Sequence, residues 1–564
     1  MAPLNVHIKH AGKVYDVLLD TDLLPSQFKQ NIYQQTGVPP ERMKVMVKGG
    51  VLKDDADWKK IGPKEGQTFM VIGAAGELPK PPEKPTVFLE DMDDAELAKA
   101  IALPVGLANL GNTCYMNATV QAMGAIPELK VALNRSNLHQ PLLRSLRDLY
   151  KNMAGTTQRV LPLAFLEFLR QAVPQFNERS TGPKIGNMDF GGYAQQGKLF
   201  YAEECWTAIT NALKAVPGFP NPDGSEPANF VKQYMTGRMR RELKTEEAPE
   251  EPPTVSTEDV LQIECNISGT TNYMSTGIME ALDQKVEKTS PTLGRQAVYT
   301  QSSRLERLPQ YLSVHMVRFT WKQDINAKAK ILRKVKFPIE FDAVDLATPG
   351  LREKLTPANR RLREIEKDRA ERRKVFRRAK RSYEDRATER RQQEQRGAEE
   401  RMETDAEPNA EAGASEDAAT QGERLLGESV TTETEKRENE RKELIALVDP
   451  HIRDDTGASE TGLYDLVAII THKGAAADSG HYMAYVKKSV FKNQGIKGAP
   501  APSTAGTSSQ PAEEVEDWFK EDEDWYKFDD DKVTEFPVEK LATLDGGGED
   551  SSAYVLLYRS KQLA

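Results

Sequence analysis

The N-terminal part of the chain alternates between apolar and polar positions with the period of a β-strand. Leu4, Val6 and Ile8 alternate with polar neighbours, and a turn at 11–12 leads into a second apolar stretch at 14–19. Two such runs joined by a short turn are typical of a β-hairpin. The pattern therefore predicts that the chain begins with two antiparallel strands.

The spacing of apolar residues then changes to that of a helix. Phe28 and Ile32 lie one turn apart, and Gly37 ends the helical pattern. Short apolar stretches at 44–47 and 69–72 predict further strands. The predicted order of elements is thus two strands, a helix and more strands.

This order is that of the β-grasp fold, so residues 1–75 are predicted to form a β-grasp domain. The segment resembles ubiquitin-like domains, and that resemblance implies a docking role. It lacks the Gly-Gly end that conjugation requires, because the chain continues into a Pro-, Lys- and Glu-rich segment, 76–100, predicted to be a semi-rigid linker. A small α+β cap without a partner is the alternative interpretation.

The rest of the chain, 101–564, shows the mixed pattern of a large α+β domain with two interruptions. Residues 354–460 are dominated by Arg, Glu, Lys and Gln, which predicts a long solvated helix followed by a disordered stretch. Residues 490–520 are rich in Ala, Pro, Ser and Gly and are predicted to be a flexible insertion. Both are expected to lie outside the domain core.

Composition and charge exclude several classes of function. The 564-residue chain carries a formal net charge of -9, which argues against a general nucleic-acid binder and fits a basic partner. Its three cysteines are widely spaced without a CxxC pair, so neither a disulfide framework nor a cysteine-based zinc site is expected. Neither a signal peptide nor an apolar run that could span a bilayer is evident. We expect an intracellular protein without membrane contact, metal or cofactor.

Cys114 lies in the most informative segment, GLANLGNTCYMNATVQAM at 106–123. Glycines permit tight turns, and the spacing after Cys114 predicts a helix with the cysteine in its first turn and Asn112 or Thr113 as cap. A helix N-terminus favours a thiolate, and the Cys114 N–H with the Asn109 side chain could hold an oxyanion. Taken alone, such a cysteine is more often a small buried residue.

A thiol nucleophile needs a nearby imidazole and a group that orients it. Of the seven histidines, His472 and His481 lie close together at the ends of two predicted strands. His481 stands at a loop-to-strand junction directly after Gly480, where substrate backbone could pass closely. His472 is more simply a strand-end residue.

The string DWYKFDDDKV supplies carboxylates at another predicted strand end. Antiparallel pairing with the His481 strand would bring Asp529 to the far nitrogen of the imidazole, where it would fix the tautomer and support the imidazolium. A run of three Asp residues is equally typical of a solvated turn.

The strings GLANLGNTCYMNA and DSGHYMAYVK resemble the cysteine and histidine boxes of the ubiquitin-specific protease family, and the pattern W-x-x-F-D-D is similar to that family's third motif. The resemblance covers nearly the whole chain except the two insertions. It implies a papain-like cysteine protease domain with fingers, palm and thumb. It also implies hydrolysis of the isopeptide bond after the C-terminal glycine of ubiquitin.

The same resemblance implies a role for each candidate site residue. The nucleophile is Cys114, the base is His481, and the orienting carboxylate is Asp529, with Asp530 as a close substitute. Asn109 completes the oxyanion hole. Ubiquitin's Gly-Gly tail fits a narrow cleft, which we expect Gly480 and Tyr482 to line.

The chain is most similar to the proteasome-associated branch of the family, which carries an N-terminal ubiquitin-like domain. This implies ubiquitin and ubiquitinated proteins as partners, docking on the proteasome's regulatory particle, and a place in the cytoplasm and nucleus. It also implies that two loops, Trp321–Lys330 and Gly474–Gly480, obstruct the cleft until docking.

Some features depart from the family pattern. The family's glutamine box usually contains an Asp that AQQGKLFYAEEC lacks, and its Glu204 is displaced. Many members bind zinc through paired CxxC knuckles, which three cysteines cannot build. Two other functions stay open: a non-enzymatic, ubiquitin-binding proteasome adaptor, and a papain-like peptidase for ordinary peptides.

Overall fold

A computed structural model describes most of the chain, and the chain forms two compact units, Met1–Asp91 and Met92–Ala564. The described residues are 3–48, 50–54, 56–73, 93, 94, 97, 103–177, 184–185, 188–189, 201–221, 224–322, 327–403, 433–474, 480–491 and 524–563. The predicted linker at 76–100 and the insertion at 490–520 fall almost entirely outside these ranges.

The first unit is a five-stranded sheet packed against one long helix. Its strands are Leu4–His10 (β1), Lys13–Leu19 (β2), Lys44–Val47 (β3), Gly50–Val51 (β4) and Thr68–Ile72 (β5), and its helices are Pro25–Thr36 (α1) and Trp58–Ile61 (α2). The sheet order is β2-β1-β5-β3-β4, with β1 and β5 parallel. This is the predicted β-grasp fold.

The local sequence explains these elements. Val6 and Ile8 lie on the inner face of β1 and pack with Phe28 and Ile32 of α1. Gly37 ends α1 in the left-handed conformation, φ 70°, and its N–H donates to a carbonyl in the last turn. The sequence patterns had not indicated β4 or α2.

The second unit combines a helical lobe with several sheets. Its helices are Cys114–Met123 (α3), Pro127–Arg135 (α4), Pro141–Ala154 (α5), Leu163–Ala172 (α6), Ala202–Leu213 (α7), Phe230–Tyr234 (α8), Met274–Leu282 (α9), Pro349–Glu403 (α10), 433–447 (α11) and Pro450–Asp454 (α12). Its strands are Lys184–Ile185 (β6), Met188–Asp189 (β7), Gly237–Thr245 (β8), Thr254–Val260 (β9), Ile263–Asn266 (β10), Asp283–Thr289 (β11), Gln296–Arg307 (β12), Tyr311–Val317 (β13), Phe319–Lys322 (β14), Ala327–Lys330 (β15), Glu340–Asp342 (β16), Leu463–Lys473 (β17), His481–Lys487 (β18), Trp525–Asp529 (β19), Lys532–Phe536 (β20) and Ser552–Ser560 (β21).

Eight of these strands form the central sheet, in the order β10-β13-β21-β17-β18-β19-β20, with β16 paired to β17. The helical lobe packs on it and buries an aliphatic and aromatic core. A separate four-stranded sheet, β11-β12-β8-β9, extends from this body. Helical lobe, central sheet and extended sheet correspond to the predicted thumb, palm and fingers.

The first part of the charged stretch 354–460 is helical as predicted, up to Glu403, but the prediction that the stretch lies outside the domain core was wrong. Leu355, Leu362 and Ile365 of α10 and Leu444 of α11 are buried in the same core as the central sheet. Ion pairs hold the two helices together above that contact, among them Arg369–Glu440 at 2.8 Å. A narrow apolar stripe inside a highly charged helix is easily missed, because Arg, Lys and Glu outnumber it. The stretch predicted to be disordered, TDAEPNAEAGASEDAATQGE at 404–423, lies outside the described residues.

None of the helices in the described part of the chain has both the length and the apolar character needed to cross a bilayer.

Candidate active site

The thiol of Cys114 stands at the first residue of α3 and is almost fully buried, with 2% of the residue exposed. The turn before it is tightly wound, because Gly111 and Asn112 both adopt positive φ, 93° and 53°. Free N–H groups at a helix start favour a thiolate there. Local backbone geometry thus places a nucleophile where anions are stabilised.

Hydrogen bonds within this turn fix its shape. The side-chain oxygen of Asn109 accepts from the backbone N–H groups of Gly111 and Thr113, at 3.0 and 3.2 Å. The hydroxyl of Thr113 accepts from the Leu110 N–H at 2.9 Å. Thr113 is the N-cap residue by position, but its side chain caps this turn and not the helix.

His481 is the first residue of β18, and its ring lies between Cys114 and Asp529. Its Nε2 is 2.7 Å from Oδ1 of Asp529, which leaves Nδ1 for the thiol. A hydrogen bond with the Cys114 side chain raises the pKa of His481 to about 9, with help from Asp529 and against the effect of burial. The imidazole is thus positioned to exchange a proton with the thiol.

Asp529 ends β19, the strand that pairs antiparallel with β18, as the sequence suggested. Burial opposes its ionisation, but hydrogen bonds from His481 and Lys527 outweigh burial and hold the pKa of Asp529 below its ordinary value. The Lys527 ammonium lies 3.2 Å from Oδ2. Asp529 is thus a carboxylate that can orient and stabilise an imidazolium.

Asp530 serves a different purpose from its neighbour. Its carboxylate lies 4.0 Å from Nε2 of His481, beyond hydrogen-bond distance. It accepts instead from the side-chain amides of Asn109 and Asn117, both at 2.8 Å. Asp530 has φ 52°, which turns the chain between β19 and β20. It therefore fastens the nucleophile loop and helix to the strand that carries Asp529.

Asn117 was missed by the sequence analysis. It is a buried polar residue one turn after Cys114, and its amide also lies 3.3 and 3.2 Å from the carbonyls of Leu107 and Ala108. A polar side chain on the inner face of an otherwise apolar helix was the signal that could have found it.

Asn109 lies in the nucleophile loop, as an oxyanion donor requires, but one of its amide hydrogens is donated to Asp530. The second hydrogen of the amide is the one left for an oxyanion. Its role in the oxyanion hole stays a prediction, with Asp530 as the group that sets the orientation of the amide.

Gly480 and Tyr482 are the residues predicted to line the substrate cleft. Contacts within the protein itself account for the conformation of the first and the packing of the second. Gly480 has φ 142°, and a Cβ there would lie 2.3 Å from the Lys473 carbonyl and 2.5 Å from the His472 ring. A glycine is therefore required whether or not substrate passes. Tyr482 is 1% exposed and packs against His472. Its place in the lining of the cleft stays a prediction, and contact with substrate would require the surrounding chain to open.

The predicted obstructing segment Trp321–Lys330 is a hairpin formed by β14 and β15. Phe319 at its base packs against His472, with ring centroids 5.5 Å apart. The buried ammonium of Lys330 donates to the carbonyls of His472 and Gly474, both at 2.9 Å. The hairpin base is therefore tied to the end of β17, where the second predicted loop begins. Residues 475–479 of that loop, and residues 194–200 of the glutamine box, lie outside the described residues, whereas Glu204 of the box stands in the first turn of α7.

The three cysteines differ sharply in environment. Cys205 and Cys265 are buried in the two cores of the second unit, and burial raises the pKa of each to about 12. A thiol with such a pKa is inert at neutral pH. Within the described residues, Cys114 alone combines a thiol with an oriented imidazole.

Three side chains of the site are of the types that can ligate a metal ion. Among the described residues, the side chains of His481, Asp529 and Asp530 bring candidate ligand atoms within 4.8 Å of one another. Each is already engaged, however: His481 with Asp529, Asp529 also with Lys527, and Asp530 with two amides. The arrangement functions as a hydrogen-bond network around a thiol.

Comparison with known proteins gives matches over both units. Residues 105–558 match the family model "Ubiquitin carboxyl-terminal hydrolase", and residues 6–75 match "Ubiquitin family". Ubiquitin carboxyl-terminal hydrolase 6 of Schizosaccharomyces pombe is 38% identical, over 99% of each chain. Ubiquitin carboxyl-terminal hydrolase 6 of Arabidopsis thaliana is 36% identical over 99% of this chain and 98% of its own. Ubiquitin carboxyl-terminal hydrolase 14 of Caenorhabditis elegans is 27% identical, over 99% and 93%.

Proposed function

The chain belongs to the ubiquitin carboxyl-terminal hydrolase family and is a deubiquitinating enzyme, and we propose that it removes ubiquitin from conjugates at the proteasome. One observation carries the chemistry: His481 lies between the Asp529 carboxylate and the thiol of Cys114, and Cys114 is the first residue of a helix. This is the arrangement of a thiol nucleophile, a base and an orienting group.

In the proposed mechanism, the Cys114 thiolate attacks the carbonyl carbon of ubiquitin's C-terminal glycine. The Cys114 N–H and the free amide hydrogen of Asn109 hold the oxyanion. His481 gives its proton to the leaving lysine nitrogen, and the carbon–nitrogen bond breaks. A water molecule, deprotonated by His481, then hydrolyses the thioester. Asp529 keeps the imidazole oriented in both steps.

Labelling with a ubiquitin C-terminal electrophile tests this mechanism. The wild-type full chain and Cys114→Ala are compared with and without purified proteasome. We expect an adduct that requires Cys114 and increases with proteasome, because the segments near the cleft would open on docking. An adduct in neither condition would contradict the enzymatic role and leave the adaptor function.

An exposed apolar patch on the first unit supports docking to another protein. Met46 and Met70 are directly opposite each other on β3 and β5, with Val51 beside Met46 and Ile72 at the end of β5. These residues are 38 to 53% exposed. Clustered apolar side chains on a β-grasp sheet are the kind of surface that marks a protein interface.

Proteasome docking is tested by charge insertion in this patch. Met70→Asp should abolish co-sedimentation of the full chain with purified proteasome, because it introduces an unpaired charge into an apolar interface. Leu24→Asp is the matched control, since Leu24 is 64% exposed in the same unit but lies before α1. Unchanged co-sedimentation of Met70→Asp would show that this patch is not the docking surface for the proteasome. Docking at the proteasome implies a place in the cytoplasm and nucleus.

A further inference from the structure

A cavity of about 450 Å³ opens directly beside the catalytic residues. Its walls include Asn109 and Leu110 of the nucleophile loop, Asp529 and Asp531 of the β19–β20 turn, and Arg159 and Leu161 from the segment before α6. It therefore adjoins the reacting atoms, because Asn109 and Asp529 belong to the site already described. The mechanism outlined above leaves the cavity without a role.

The cavity lies on a definite side of the catalytic histidine. In the central sheet, β18 with His481 has β17 on one side and β19 on the other. The predicted obstructing segments meet at the end of β17, where Lys330 and Phe319 pack. The cavity lies at the end of β19, on the opposite side. A substrate whose ubiquitin tail approaches over β17 directs its leaving group into this cavity.

The walls have the chemistry of a lysine side chain. Leu161 is 61% exposed, although it sits beside a polar centre, and with Leu110 it offers an apolar surface to a four-carbon stem. Three acidic residues, Asp529, Asp530 and Asp531, also line the cavity, against two cations, Arg159 and Lys532. A lysine amine is protonated at neutral pH, so nearby carboxylates favour it.

One of the two cations in the cavity wall, Arg159, is already paired with a carboxylate. The guanidinium of Arg159 lies 2.8 Å from Oδ2 of Asp531. The strand-like contact of Leu107 with Val160 fixes the segment that carries both Arg159 and Leu161. The backbone N–H of Leu107 donates to the Asp530 carbonyl at 2.9 Å. The cavity is thus built on the same hydrogen-bonded frame as the nucleophile loop.

We propose that this cavity binds the leaving-group lysine and its neighbouring residues in the conjugated protein, with Leu161 packing on the lysine stem. The inference rests on the deubiquitinating activity. It assigns to Leu161 a role in substrate selection and none in the chemical steps.

Two ubiquitin substrates distinguish this role from catalysis. One carries ubiquitin on the lysine side chain of a peptide through an isopeptide bond, and the other is the ethyl ester of ubiquitin, whose leaving group is small. The full-length Leu161→Arg variant, assayed with proteasome present, should lose about tenfold in kcat/KM on the isopeptide substrate, because a cation and a bulky chain fill the cavity. Its kcat/KM on the ester should stay within about twofold of wild type.

Leu163→Arg is the matched control. Leu163 is also 61% exposed and lies two residues away, but it does not line the cavity. It should leave both substrates unaffected. Equal losses of Leu161→Arg on both substrates, or no loss on either, would overturn the proposal. Wild-type chain that takes up no ubiquitin electrophile would instead contradict the enzymatic mechanism, so the two failures are distinguishable.

Discussion

His481 has a neighbouring strand on each side in the central sheet, and we call these sides the β17 flank and the β19 flank. The two flanks differ in how tightly they are packed. On the β17 flank, Phe319, His472, Tyr482 and Tyr554 pack ring against ring, and Lys330 is buried against two backbone carbonyls. On the β19 flank, a cavity of about 450 Å³ is open and lined by charged and polar groups as well as Leu161. One flank is filled by the protein's own side chains, and the other is preformed for a ligand.

This difference indicates how the energy of substrate binding is used. Passage of a ubiquitin tail over the filled flank would require that flank to rearrange, and part of the binding free energy would then be spent on opening it. The open flank needs no such change and can contribute directly to the selection of the leaving group. Docking to a partner that opens the first flank would therefore activate the enzyme without altering the catalytic residues.

The largest expected effect is at the point where the two flanks meet. Cys114→Ala should lower kcat by about 10⁴-fold or more on both isopeptide and ester substrates, because no bond to the acyl carbon can form. Binding of free ubiquitin, measured by calorimetry, should persist. Retention of activity within about tenfold of wild type would show that another group is the nucleophile.

The second effect separates two adjacent carboxylates on the open flank. Asp529→Asn should lower kcat by about 10² to 10⁴-fold, because the imidazole loses its orienting anion. Asp530→Asn should lower kcat less and reduce stability by about 1 to 3 kcal/mol, because the buried amide of Asn117 and the exposed amide of Asn109 both lose a charged acceptor. Steady-state kinetics and urea unfolding measure the two quantities. The opposite ranking of kcat would assign the orienting role to Asp530.

A third effect is expected on the filled flank. Lys330→Met removes the two hydrogen bonds that tie the β14–β15 hairpin to the end of β17 while keeping a long apolar stem. Without proteasome, the variant should react with a ubiquitin electrophile about fivefold faster, because about 1 kcal/mol of restraint is lost. Lys334→Met, an exposed lysine with its partner Asp545 at 3.9 Å, is the control. Unchanged labelling of Lys330→Met would show that the rings alone hold the flank.

Most of the catalytic geometry could be predicted from the sequence, because short motifs place the catalytic residues at the ends of particular helices and strands. The glycine-rich turn and helix start indicated Cys114, and antiparallel pairing of two strands indicated the contact between His481 and Asp529. Both are consequences of local backbone geometry, which residue order determines directly. The β-grasp fold was predicted for the same reason, since its strand and helix periods are regular.

What the sequence did not show depends on contacts between distant segments. The hydrogen bonds of Asp530 to Asn109 and Asn117 join residues more than four hundred positions apart, separations of 421 and 413. The burial of Tyr482 depends on rings from β17 and β21. Likewise, Leu355 and Leu444 are buried in the same core, although a long charged stretch separates them in the sequence. No local pattern records such pairings.

The smallest expected effect is on the pH dependence of the free energy of unfolding. It tests the hydrogen bond between Cys114 and His481, which lies between the two flanks. The hydrogen bond with Cys114 raises the pKa of His481 from 6.5 to about 9. A pKa that is higher in the folded state stabilises the fold fully below pH 6.5, and this contribution is lost as the pH rises through about 9. Because the side chain is about a third exposed, solvent screening reduces the expected contribution to about 1 kcal/mol.

Cys114→Ala removes the principal cause of that raised pKa. Between pH 6.5 and about 9.5, the wild type should therefore lose about 1 kcal/mol more of its free energy of unfolding than the variant does, as measured by urea unfolding. The ring carbons of His481, followed by NMR, should titrate near pH 9 in the wild type and closer to 6.5 in the variant. Identical titrations in the two proteins would show that the imidazole is not paired with the thiol. The filled flank would then enclose a cysteine that still requires substrate to complete its catalytic pair.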